Sequence, residues 1–170
     1  VQISTADVKT LREQTGAGIM DCKKALVETN GDFDKATRVI KEKGLETVNK
    51  RASRPASDGL IEVYVHNGRI GAMVEVNCET DFVAKTDQFK VLARNIAMQV
   101  AAMCPTYVSD SDIPDDQDVD SKQASLLAQA FIKDESITIQ DLVNDVIAKV
   151  GENIIVKRFA RYELGCWDDD

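Results

Sequence analysis

The side chains that most often perform chemistry are scarce in this sequence. Its 170 residues include one histidine and four cysteines, Cys22, Cys78, Cys104 and Cys166, spaced 56, 26 and 62 positions apart. With no C-x-x-C pair and no second histidine, there is little material for a zinc site, a disulfide framework or a nucleophile–histidine pair. Reduced thiols of a cytoplasmic protein fit this usage better. Aromatic residues make up 5% of the chain, so the core is expected to be built from Val, Ile, Leu and Ala. No apolar run approaches the ~18 residues of a membrane-spanning helix, and no charged segment followed by an apolar one opens the chain. There is no G-x-x-x-x-G-K-S/T loop to cradle a nucleotide. Positive charge is in deficit: 21 Lys and Arg face 29 Asp and Glu, a net charge of −8, and a phosphate backbone would repel such a chain. The expectation is a cytoplasmic protein that is not an enzyme and has no metal, no cofactor, no nucleic-acid partner and no membrane partner.

What is present is unevenly spread. Residues 1–54 carry 11 basic and 8 acidic side chains, while the remainder carries 10 and 21. Those first residues read as three short helices. Ser4 or Thr5 can cap the first, with Val8 and Leu11 on its inner face. Gly16-Ala17-Gly18 breaks it; the pair of glycines lies between helices rather than after a strand, so it is no phosphate loop. The second helix carries Ile19, Cys22, Ala25 and Leu26 as a stripe and stops at Asn30-Gly31. Asp32 caps the third, whose stripe is Phe33, Ala36, Val39 and Ile40, with Gly44 placed as its C-terminal stop. Three such helices share only a small core, which suits a docking module.

Ser53–Gly59 is a linker by composition, and beyond it the hydrophobic period changes to two. Ile61, Val63 and Val65 share one face of a strand near residues 60–66, and Ile70, Ala72, Val74, Val76 and Cys78 share one face of the next. Asn67-Gly68 between them is the signal for a two-residue hairpin turn. A helix follows from Asp81 or Asp87 to Met103, ended by Cys104-Pro105. Ser109–Asp120, with six aspartates, is expected as a solvated loop. Further helices are expected near Ser121–Ile132 and from Thr138 or Ile139 to Val150, then a strand from Asn153 to Glu163. The fold class is therefore α+β: an N-terminal three-helix module over 1–54, then a three-stranded antiparallel sheet with helices on one face over 55–165, and an acidic tail over 166–170. The sheet's other face is expected to carry Leu60, Tyr64 and Met73 among Glu75 and Asn77, a partly apolar surface open to a second copy of the chain.

One junction stands apart. In Asn77-Cys78-Glu79-Thr80-Asp81-Phe82-Val83-Ala84-Lys85, Thr80 or Asp81 can cap a helix and Phe82 can staple it to the core. Alternatively, a carboxylate and a large ring project together from a rigid corner, a geometry for wedging into a partner.

The segment Leu11-Arg12-Glu13-Gln14-Thr15-Gly16-Ala17-Gly18-Ile19-Met20-Asp21-Cys22-Lys23-Lys24-Ala25-Leu26 closely resembles the opening of the translation elongation factor Ts family. Glu75 to Ala84 resembles that family's second signature. Val150-Gly151-Glu152-Asn153-Ile154, with Arg158 to Gly165, resembles its last strand. The three matches stand in family order and span nearly the whole chain. The resemblance implies a guanine-nucleotide exchange factor for elongation factor Tu, the GTPase that delivers aminoacyl-tRNA. In the family the first helices are ubiquitin-associated-like and dock on the GTPase's nucleotide-binding domain; the positions carried over are Lys9, Arg12, Ile19, Met20 and Lys23. Methionine is commoner in the family at the position of Ile19. Thr80, Asp81, Phe82 and Val83 correspond to the motif said to disturb the partner's Mg2+ site, and Val150 and Gly151 to secondary contacts.

The chain departs from many members in having one copy of the core subdomain, no coiled-coil insertion and a short link from Ser109 to Ile139. A single-copy member is expected to form a homodimer, which presents two partner-contacting surfaces. Two other readings stay open at this point: a ubiquitin-associated-like adaptor with no exchange activity, and an enzyme that uses Cys78 or a metal.

Overall fold

The computed structural model describes residues 3–166, and the expected tail from position 167 onward lies outside them. Helix α1 (Thr5–Thr15) starts where Ser4 and Asp7 cap each other reciprocally: the Asp7 N–H donates to Ser4 Oγ, and the Ser4 N–H donates to the Asp7 carboxylate. It ends at Gly16, whose φ of 68° is left-handed. Helices α2 (Ile19–Glu28) and α3 (Phe33–Arg51) complete the module, the latter capped by Asp32. Val8, Leu11, Cys22, Ala25, Leu26 and Ala36 form its buried centre.

Helix α3 does not stop at Gly44. It continues to Arg51 because the glycine serves another purpose. A Cβ built there would lie 3.2 Å from the Ala148 side chain, so Gly44 is where α3 passes close to helix α7 (Ile139–Val150). Val48, farther along α3, packs against the main core. The last two turns of α3, beyond the expected stop, thus brace the helical module against the main core.

Strands β1 (Asp58–His66) and β2 (Ile70–Cys78) form the expected hairpin. Asn67 and Gly68 both have positive φ, and the Arg69 N–H donates to the His66 carbonyl, closing the turn. The last strand, β5 (Ile154–Glu163), pairs antiparallel with the other edge of β2, giving the order β1-β2-β5. Between them in sequence lie the one-turn helix α4 (Asp81–Ala84) and helix α5 (Asp87–Met103). Helices α5 and α7 cover one face of the sheet, where Val74, Val76, Phe89, Leu92, Ile96, Val100, Val143, Ile147 and Val156 are buried together. This is the α+β arrangement that the change of period predicts.

Two expectations are corrected. In β1 the inward face is Leu60, Glu62 and Tyr64, opposite Val76, Val74 and Ala72 of β2. Glu62 pairs with Arg94 of α5 at 3.1 Å, and the same guanidinium lies 5.1 Å from the centre of the Tyr64 ring. Polar partners on α5 therefore draw in the amphipathic face, and Ile61, Val63 and Val65 point outward beside Met73. The helix expected near Ser121–Ile132 is also absent; only α6 (Ser121–Ala124) forms, followed by a 3-10 turn and the small hairpin of β3 (Ala130–Phe131) and β4 (Asp134–Thr138). Its backbone groups are claimed from outside. The N–H groups of Leu126 and Leu127 donate to the carbonyls of Tyr107 and Val108, and the buried Gln99 amide binds Ile132 N–H and the Ala130 carbonyl. Tertiary partners outweigh local helix propensity here.

Candidate functional site

The corner between β2 and α4 is built from two pairs of neighbouring residues that grip one another. The Thr80 N–H donates to Glu152 Oε2 at 3.0 Å, and the Thr80 hydroxyl donates to Glu152 Oε1 at 2.7 Å. In return the Asn153 N–H donates to Glu79 Oε1 at 2.7 Å, and Arg54 lies 3.4 Å from the other Glu79 oxygen. The Asn153 side chain, itself buried, donates to the Arg54 carbonyl at 2.7 Å. The Thr80 carbonyl accepts from the Cys78 thiol at 3.1 Å. Every polar group of Thr80 is therefore engaged, and both of its donors go to one residue 72 positions away. A four-residue helix has no stability of its own, so these tertiary bonds position it.

Charge follows the geometry. The Asn153 N–H, and then Arg54, hold the Glu79 carboxyl below the ordinary carboxylate range. Burial, with Glu152 adding its negative charge, pushes the Cys78 thiol up to about 11. Cys78 is thus a protonated donor at neutral pH and has none of the thiolate character of a nucleophile. Asp81 is exposed and ionised, its carboxyl lowered by the hydrogen bond from Lys85 at 2.6 Å.

From this corner Val83 turns inward and is buried, while Phe82 turns out and is 77% exposed. Phe82 is therefore not the staple that a core reading of the motif requires. The corner thus presents a large ring to water beside a carboxylate, on a mount held by tertiary hydrogen bonds.

The remaining residues singled out from the sequence lie on the helical module and at the end of α7. Ile19 and Met20 open α2 with 55% and 61% of their surface exposed, an apolar pair facing water. Arg12 sits in the last turn of α1, Lys9 pairs weakly with Glu13 at 3.8 Å, and Lys23 is exposed on α2. Val150 ends α7, and Gly151 caps it with a φ of 73°. The structure links these groups by contact. Space above Gly16, between α1 and α2, is filled by the Lys149 side chain, and two residues beyond Gly151 the chain is already bonded to Glu79. The α1–α2 turn thus touches α7, and the segment after α7 is bonded to the Phe82 corner. Glu79, Glu152 and Asn153 lie inside the segments that carry the family resemblance, but nothing in the sequence shows that they bind one another.

Among the described residues, no group of three or more His, Cys, Asp or Glu side chains could hold a metal ion, and no helix is long and apolar enough to cross a membrane. The molecule is an α+β protein whose distinguishing surface is a mounted ring and carboxylate flanked by a small helical module. A family profile described as elongation factor TS matches residues 4–124. The chain is 48% identical to elongation factor Ts of Moorella thermoacetica over 194 residues, covering 96% of each chain. It is 49% identical to that of Herpetosiphon aurantiacus over 196 residues, covering 97% of this chain and 99% of the relative. For Thermotoga sp. strain RQ2 the identity is 47% over 194 residues, with 97% and 98% covered. The chain belongs to the elongation factor Ts family, which places it in translation elongation. A 194-position alignment that takes in 96% of 170 residues uses about 163 of them, so about 31 positions of the Moorella protein have no counterpart here.

Proposed function

We propose that this chain is a guanine-nucleotide exchange factor: it binds elongation factor Tu in the GDP-bound and nucleotide-free forms and promotes GDP release. The observation that carries the proposal is Phe82, 77% exposed beside the ionised Asp81 on a corner that the rest of the fold immobilises. Phe82 enters between elements of the GTPase that support its Mg2+ and phosphates. Asp81, released from Lys85, competes for or reorients the groups that hold them. Thr80 and Val83 fix the two ends of the wedge. No bond is made or broken, so no acid, base or nucleophile is required of the chain. Linkage supplies the thermodynamics: a factor that binds nucleotide-free partner more tightly than GDP-bound partner weakens GDP by the same ratio.

The helical module, residues 1–54, acts as the docking unit. Ile19 and Met20 provide the apolar contact, Lys9, Arg12 and Lys23 the charge that speeds encounter with an acidic patch, and Val150 and Gly151 continue the contact toward the wedge. The open sheet face pairs with a second copy of the chain. Ile61, Val63, Val65, Met73, Ile155 and Tyr162 expose one broad apolar surface, and a two-fold axis through it buries the same residues on both copies.

The test is release of fluorescent GDP from purified elongation factor Tu with and without the full chain. Catalytic amounts of the chain should accelerate release. Binding of the GTPase without acceleration would replace the exchange reading by that of an adaptor.

A further inference from the structure

We propose that Glu152 is a positioning residue for exchange. From the turn that follows α7, its carboxylate fixes Thr80 and so sets the direction in which Asp81 and Phe82 project. This inference rests on the exchange reading above and adds to it a residue outside the wedge. The wedge stands on a single helical turn whose own cap bond, from the Val83 N–H to the Thr80 hydroxyl, is 3.5 Å long and weak. Glu152 binds that same hydroxyl at 2.7 Å and the Thr80 N–H at 3.0 Å, so one side chain engages two donors of the residue immediately before Asp81. Both bonds are charge-assisted and span 72 positions of sequence, which makes them the principal polar tie between the wedge and the α7 end. The neighbouring Asn153–Glu79 bond runs in the opposite sense and resists rotation of one pair against the other. Loss of Glu152 leaves Phe82 present and exposed but free to swing. A wedge in many orientations reaches the productive one less often, and the cost falls on the rate rather than on docking.

Three full-length variants separate positioning from other roles. Glu152→Ala should lower the maximal rate of fluorescent-GDP release about tenfold, the scale of one charge-assisted hydrogen bond. The factor concentration that gives half the maximal rate should stay within about twofold, because the docking surfaces are untouched. Glu152→Gln keeps the reach of the side chain and loses its charge; Glu152→Asp keeps the charge and loses the reach. Positioning predicts that Gln retains more activity than Asp. Should the alanine variant fail to fold, as judged by thermal melting, the order of Gln and Asp decides. Asp outperforming Gln would show a charge acting directly on the partner, and an unchanged maximal rate with a raised half-saturating concentration would show a docking contact; either overturns the proposal. Phe82→Ala belongs in the same assay. If it is slowed while all Glu152 variants match the wild type, positioning fails and the wedge stands. If Phe82→Ala releases GDP at the wild-type rate, the exchange reading itself fails.

Discussion

The open sheet face and the Phe82 corner both present apolar groups to water, and they are built in opposite ways. The open sheet face is broad and flat, made of aliphatic side chains that the backbone of β1, β2 and β5 holds in rows; Val63 stands opposite Met73 on it. Its main polar tie, Arg158 to Glu75 at 2.7 Å, lies on the same face and leaves the aliphatic residues uncovered. The Phe82 corner is the reverse: one exposed ring, surrounded by a polar network that commits nearly all its bonds to keeping the mount still. A flat apolar face gains most when it is covered permanently, because hydrophobic burial scales with area and is indifferent to direction. A single ring covers little area and gains by arriving in one orientation, so rigidity is what it needs. On the proposed reading, the sheet serves assembly and the corner serves action on a partner.

Val63→Lys tests that division with the largest expected effect. If the proposed dimer forms through the sheet face, a charge in its middle should convert it into single chains, read as a halved mass by light scattering, with the corner unaffected. An unchanged mass would mean that the face is not the assembly surface. Met20→Asp comes next. It should weaken binding of elongation factor Tu about tenfold, as loss of a moderate interface anchor does, while the maximal release rate is preserved. A lowered maximal rate with unchanged affinity would instead join Met20 to the wedge. The smallest effect concerns the mount itself. Glu79 has a carboxyl pKa below its ordinary 4.5, so its bonds stabilise the fold above that pH and the contribution disappears as pH falls through the lowered value. Glu79→Gln should therefore melt below the wild type at pH 7, and the gap should narrow as the pH is taken below 4.5. A gap that is independent of pH would show that the charge of Glu79 contributes nothing.

Much of the fold is legible in the order of residues. The hairpin at Asn67-Gly68, the end of α7 at Gly151 and the inward row of β2 follow from turn chemistry and period, because each depends on residues adjacent in sequence. What is not legible depends on distant partners. By apolar count Ile61, Val63 and Val65 look like the buried face of β1, yet Arg94 draws in Glu62 and Tyr64 instead. The reversal makes the open face more apolar than the sequence alone suggests, and so more suited to a second copy. Gly44 looks like a helix stop and is a point of close helix approach, which only the position of Ala148 reveals. At the site, the Thr80–Val83 motif is visible in the sequence, and so is its ambiguity between staple and wedge. Exposure of Phe82 decides against the staple, while the grip of Glu152 and Asn153 on the corner joins residues more than seventy positions apart and has no local signature.

The central claim is that a fixed, exposed ring speeds GDP release, and Phe82→Ala addresses it most directly. With saturating factor and fluorescent GDP on elongation factor Tu, the variant should release nucleotide roughly 30- to 100-fold more slowly than the wild type, the scale of losing a hot-spot aromatic. Its melting temperature and mass should be nearly unchanged, because most of the ring lies in water. Release at the wild-type rate by a folded variant would contradict the account.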